Sequence, residues 1–137
     1  MKRLSFVPLV LAVSLVTTIA FAAVERKAGS FQELSASGVS GKVDLMKVPQ
    51  TVEATSVHGQ AKNLQPGQEY LAIWYRNTGC SPEAGFETQI VERFKANPQG
   101  IASFKGKVDV PLADINSVSI LRASDLTTQA CAPVIAQ

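Results

Sequence analysis

Histidine is almost absent from this chain: His58 is the only one in 137 residues. A Ser–His–Asp nucleophile would have to use that ring, and no G-x-S-x-G accompanies it, so hydrolysis finds no constellation to work with. Cysteine is nearly as scarce. Cys80 and Cys131 stand alone, without a C-x-x-C or an activating neighbour, which argues against a redox dithiol. The chain also lacks an internal repeat, a low-complexity tract and a convincing long helical pattern. Charged residues make up only 18% of it.

The one long apolar run is at the start. Lys2 and Arg3 precede a mostly apolar stretch over residues 4–21, and Ala20-Phe21-Ala22 offers small residues at both positions a signal peptidase reads. Residues 1–22 are therefore read as an export signal. A membrane anchor is the alternative, but the run is short for a span and contains Pro8. No cysteine lies near the cleavage point, which excludes a lipobox. Removing the segment takes Lys2 and Arg3 from the 13 basic residues, leaving as many as the 11 acidic ones. A formally neutral domain with no basic patch gives no reason to expect nucleic acid, and no stable membrane span remains after cleavage. The expected location is periplasmic or secreted. In an exported chain two cysteines favour a disulfide over a metal site or a catalytic thiol.

Residues 23–41 are small and polar, with few larger apolar groups, Phe31, Leu34 and Val39 among them, and read as a loose N-terminal arm with one short strand or turn. The domain proper is placed at 42–137. Within it, short apolar runs are separated by turn residues. Stretches 41–48 and 51–61 lead into Leu64-Gln65-Pro66-Gly67, where Pro66 presets φ and Gly67 supplies the positive φ of a type II turn. Residues 68–76, QEYLAIWYR, are aromatic and β-branched and form the central strand. A loop carrying Cys80 follows. The segment 86–96 fits a helix or a strand equally well. Residues 101–110 alternate, with Ala102, Phe104 and Val108 on the apolar side, and 117–122 and 130–136 read as the last strands. Many short strands with Pro, Gly and Asn turns point to an antiparallel sandwich or barrel.

At its centre the chain resembles the copper/zinc superoxide dismutase family. Residues 57–67, VHGQAKNLQPG, are similar to that family's V-x-G-x-I-x-G-L-x-x-G. Cys80 and Gly85 stand in the following loop as in the family, and 130–137, ACAPVIAQ, is similar to its terminal A-C-G-V-I-G-I-A. The resemblance implies an all-β, antiparallel Greek-key β-sandwich or barrel of the dismutase-like type. It also implies an intrasubunit disulfide between Cys80 and Cys131. The family's metal ligands do not follow. Its H-x-H falls at Ala72 and Trp74, its bridging histidine near Glu87, its late copper histidine near Arg122 and its guiding arginine near Thr128. Copper and zinc sites need several imidazoles, and one is available, so no cofactor and no dismutase activity are expected.

By alternation, Leu71, Ile73 and Tyr75 share one face of the central strand, and Tyr70, Ala72, Trp74 and Arg76 the other. If the family fold holds, the second set faces outward. Tyr70, Trp74 and Arg76, with Glu87 and Arg122, then form an aromatic and cationic binding surface for an unknown protein or small ligand. The competing reading packs Trp74 under residues 77–87 as filler. Glu87 and Arg122 are expected as an ion pair, and His58 as a half-exposed strand residue. The leading expectation is a metal-free, non-catalytic exported binding module. Two alternatives remain: a degenerate copper- or zinc-binding envelope protein in which His58 and carboxylates such as Glu87 meet in space, and a small secreted enzyme inhibitor.

Overall fold

The computed structural model describes residues 14, 16–17, 25–49 and 53–137. The signal expectation for 1–22 therefore falls almost wholly outside the described residues. No helix among them is long and apolar enough to cross a membrane.

Among the described residues nine strands follow one another: β1 Arg26–Glu33, β2 Ser40–Lys47, β3 Thr55–Lys62, β4 Glu69–Tyr75, β5 Ile90–Lys95, β6 Ala102–Val108, β7 Ser117–Arg122, β8 Thr128–Pro133 and β9 Ile135–Ala136. All pairings are antiparallel, in the order β5-β4-β7-β8-β1-β2-β3-β6, with β9 also on β1. The non-sequential neighbours β3–β6, β4–β7 and β8–β1 give the Greek-key connectivity of a nearly closed barrel. The expected all-β fold is what the chain adopts, and the disulfide is present. Cys80 and Cys131 are joined with their Cα atoms 5.9 Å apart.

Local chemistry explains most of the elements. In β2, Val43 and Leu45 point inward between outward Lys42, Asp44 and Met46; in β6, Ala102, Phe104 and Val108 do so between Ser103, Lys105 and Lys107. The turn before β4 is built as expected: Gly67 has φ 76°, and Gln68 N–H reaches the Gln65 carbonyl at 3.1 Å. The ambiguous segment resolves into a 3-10 turn over Phe86–Gln89 and then β5.

The N-terminal expectation needs correcting. Residues 26–33 are an eight-residue strand in mid-sheet, not a loose arm. Its first part pairs with β2 and β9, and Gln32 and Glu33 pair with Cys131 and Ala130 of β8. Only Phe31 of this strand is buried. The strand is held by two ladders of backbone hydrogen bonds, which leave no hydrophobic signature in its side chains.

Inside the barrel an aromatic row spans the gap between the terminal strands. Tyr70 stacks on Phe94 at 5.9 Å, Phe94 on Phe104 at 5.2 Å, and Phe31 meets Phe104 edge-on at 6.2 Å. Gly59 lies opposite Phe104, and a Cβ there would overlap the ring. Strands β5 and β6 are the two ends of the ladder order, yet they touch. The Glu92 carboxylate accepts the Lys105 N–H at 2.7 Å, and the Val91 carbonyl approaches Gly106 so closely that an added Cβ would lie 2.6 Å from it. Side chain and glycine close the seam where a ladder would otherwise run.

Candidate functional site

Strand β4 is buried on both faces, and its two faces are the reverse of the expected arrangement. Tyr70, Ala72 and Trp74 point into the main core, while Leu71, Ile73 and Tyr75 form a second, smaller cluster with Cys80, Leu121 and Cys131. Tyr70 and Trp74 are each only 3% exposed, so they are not a surface. Trp74 does not pack under residues 77–87 either; Ile73 and Tyr75 occupy the cluster that the cysteine closes. The positions matched to the family's H-x-H therefore face the barrel interior. A one-residue parity error moves every side chain to the other face, and a strand apolar on both faces carries no alternation to reveal it.

The expected surface residues do not converge. Tyr70 and Arg122 are cross-strand partners at one end of β4, whereas Trp74 and Arg76 lie at the other, about 13 Å further along at 3.3 Å per residue. The Tyr70 hydroxyl is occupied by the Gln65 N–H at 2.9 Å. The expected Glu87–Arg122 pair does not form. Arg122 Nε instead meets Asp125 Oδ1 at 3.6 Å, and Glu87 is exposed on the 3-10 turn with no ion pair among the described residues. Asp125 has its pKa lowered, first by the Thr127 hydroxyl and backbone N–H, and also by Arg122.

His58 is an exposed residue of β3. Its Nε2 lies 2.9 Å from Ser56 Oγ, and Asp44 is its cross-strand neighbour. This is not a nucleophile site: Asp44 is engaged by Arg26 at 2.7 Å, and the ring lies on an open sheet face. The shallow depression around His58, about 600 Å³, is also lined by Lys42, Lys105 and Glu92. Asp44 also lines it, so His58 does meet two carboxylates there, though Glu87 is not one of them. No group of three or more His, Cys, Asp or Glu able to hold a metal ion occurs among the described residues.

A cleft does form where β5 and β6 diverge below Gly106. About 360 Å³ in volume, it is lined by Trp74, Arg76, Thr88, Ile90, Lys107 and Val110, among others. The Arg76 guanidinium sits 5.0 Å from the Trp74 ring centroid, a cation–π contact at the rim. The Trp74 indole nitrogen is buried and has no hydrogen-bond partner among the described residues. Buried donors are paired in nearly all folded proteins, and an orphan costs about 1–3 kcal/mol; Gln89 Oε1, also buried, is likewise without a partner among the described residues.

Arg76 of the cleft is held at its backbone by Glu83, a residue that the sequence reading passed over and that does not itself line the cleft. Glu83 Oε1 accepts the backbone N–H of Arg76 at 2.8 Å and of Asn77 at 3.2 Å, and the Asn77 side-chain amide at 2.8 Å; Oε2 accepts from Gln89 at 3.1 Å. Burial opposes its ionisation, but the bonds from Gln89, Asn77 and Arg76 outweigh that and hold the carboxyl below its usual range. Beneath it Tyr75 bonds Ser119 at 2.8 Å in the second core, and burial pushes the phenol's pKa up. On the far side of Asn77, Ser117 Oγ donates to its carbonyl at 2.6 Å and accepts the Cys80 N–H at 3.2 Å. An acidic residue within SPEAG after an Asn-Thr-Gly turn was the available signal. Lys107 was legible only as a wet position of β6.

The fold defines a class: an antiparallel, disulfide-stapled β-barrel with depressions along the β5–β6 seam. No protein-family model and no curated protein sequence matches the chain.

Proposed function

We propose that this is an exported, non-catalytic binding domain of the superoxide dismutase-like type, and that it takes its ligand in the cleft between the cysteine loop and the end of β6. The observation that carries the reading is Trp74, almost wholly buried yet holding an unpartnered N–H beside the cleft. Ligand sites use a few placed polar groups beside apolar surface. Ile90 and Val110 supply the walls here, and Arg76, Lys107 and the indole the polar groups. The disulfide supports an oxidising compartment, periplasmic or extracellular. Its placement, from the loop after β4 to β8, supports the family resemblance. The inward aspect of Ala72 and Trp74 weighs against reading a vacated metal site at those positions.

The test uses protein purified without chelator. Copper and zinc content and superoxide turnover are measured first. Small acids and amides are then screened against the indole N–H resonance, which is unique because the chain has a single tryptophan. Substoichiometric metal, no turnover and at least one compound that saturably moves the peak are expected. Stoichiometric metal with turnover would return the chain to dismutase chemistry, and a peak that no compound moves would remove the cleft.

A further inference from the structure

The cleft has a chemical polarity beyond being a cavity. Strand β6 pairs with β3 on one edge, Ser56 facing Lys107 and Thr55 facing Val108. Its other edge faces the seam, where the Lys105 N–H is taken by Glu92. Backbone groups of residues i and i+2 in an antiparallel strand point the same way, so the Lys107 N–H and C=O also face the seam. There β5 has only begun, at Ile90, and gives way to the 3-10 turn. The cleft thus contains a stretch of strand edge without a ladder partner among the described residues. It is flanked by apolar Ile90 and Val110, with two cations, Arg76 and Lys107, against one anion, Asp109.

Resting on the cleft reading above, we infer that the ligand is an extended peptide segment carrying a carboxylate side chain, which adds to the edge of β6 at Lys107. Strand addition gives affinity through the main chain and specificity through alternate side chains. The Lys107 N–H and C=O provide the main-chain pair. The carboxylate goes to Arg76 and Lys107, and drawing Arg76 off the indole face opens the buried Trp74 N–H to a peptide carbonyl. The Arg76–Trp74 cation–π contact and one long ion pair have to yield. Arg76 Nη1 lies 4.0 Å from Glu83 Oε2, and the guanidinium side chain is 58% exposed. The aromatic row and the Val91–Gly106 approach remain in place, since the addition occurs beyond them.

The probes are three blocked pentapeptides, titrated into the intact disulfide-bonded protein and followed at the single indole N–H resonance. One has a central aspartate between valines, the second an asparagine in its place, and the third the aspartate sequence with alternate backbone amides N-methylated. The aspartate peptide is expected to saturate with a dissociation constant below about 1 mM and to move the indole proton downfield. The asparagine peptide should bind about tenfold more weakly, and the N-methylated one at least as weakly. Because the changes are made in the peptide, the protein's folding is not in question. Equal binding of aspartate and asparagine peptides overturns the carboxylate, and undiminished binding of the N-methylated peptide overturns strand addition. If no peptide saturates but sodium acetate or another small compound does, the peptide inference fails and the cleft stands. If nothing moves the peak, both fail.

Discussion

At the scale of single residues, Glu83 anchors the strand end from which Arg76 reaches the cleft. A carboxylate that accepts four N–H groups from Arg76, Asn77 and Gln89 fixes the entry and exit of the cysteine loop at once. Replacing it with alanine leaves those donors without their acceptor, at a cost of about 2 kcal/mol given partial replacement by water. The acid limb of stability should change with it. Because the folded-state pKa is depressed, the stabilisation is complete above the ordinary glutamate value of 4.5 and lost as pH falls through the lower folded value. Denaturant titrations at pH 7 and below pH 4.5 should therefore show a smaller loss on acidification for Glu83→Ala than for the wild type. Parallel acid limbs would show that the carboxylate contributes nothing specific.

At the scale of elements, the β5–β6 seam is held by shape. Gly59 leaves room for the Phe104 ring, which carries the stack on to Phe94 and Tyr70 and so joins the strands that lack a ladder. Gly59→Ala should cost about 1–3 kcal/mol, because the added methyl overlaps a ring confined by its neighbours. Phe104→Leu alone should also destabilise, by leaving a void. In the Gly59→Ala background, however, it should recover part of the loss, giving a coupling of about 1 kcal/mol or more in thermal or urea unfolding. Simple additivity of the two losses would refute the interlock. Sequence made some of this visible and hid the rest for physical reasons. The Pro66-Gly67 turn, the ends of β4 and β7 and the alternation of β6 were legible, since each is written in local residue types. The parity of β4 was not, because Tyr70 to Tyr75 are apolar at every position. Nor was β1, whose RKAGSFQE enters the sheet by backbone pairing with a single buried ring. The cleft was legible only as two of its residues, Trp74 and Arg76; Lys107 joins them through a β3–β6 pairing that no local pattern encodes.

For the whole molecule, the disulfide does more than pin a loop. Cys80 and Cys131 are separated by 51 positions, and the chain between them contains β5, β6 and β7, hence both sides of the seam. Closing such a loop in the unfolded chain is worth about 4 kcal/mol in the chain-entropy account, against about 5–15 kcal/mol for the total stability of a domain. Two of the strands it encloses also pair with strands distant in sequence, β6 on β3 and β7 on β4, so their pairing carries a considerable ordering cost. The double variant Cys80→Ala/Cys131→Ala should therefore lower the melting midpoint by about 15–20 °C for a domain of this size. The backbone amides of β5, which pairs on one side only, should gain exchange before those of β7, which is laddered on both. A shift of only a few degrees with uniform exchange would mean that the barrel closes as well without the staple. The Tyr75–Ser119 layer beneath Cys80 would then be holding the loop by packing alone.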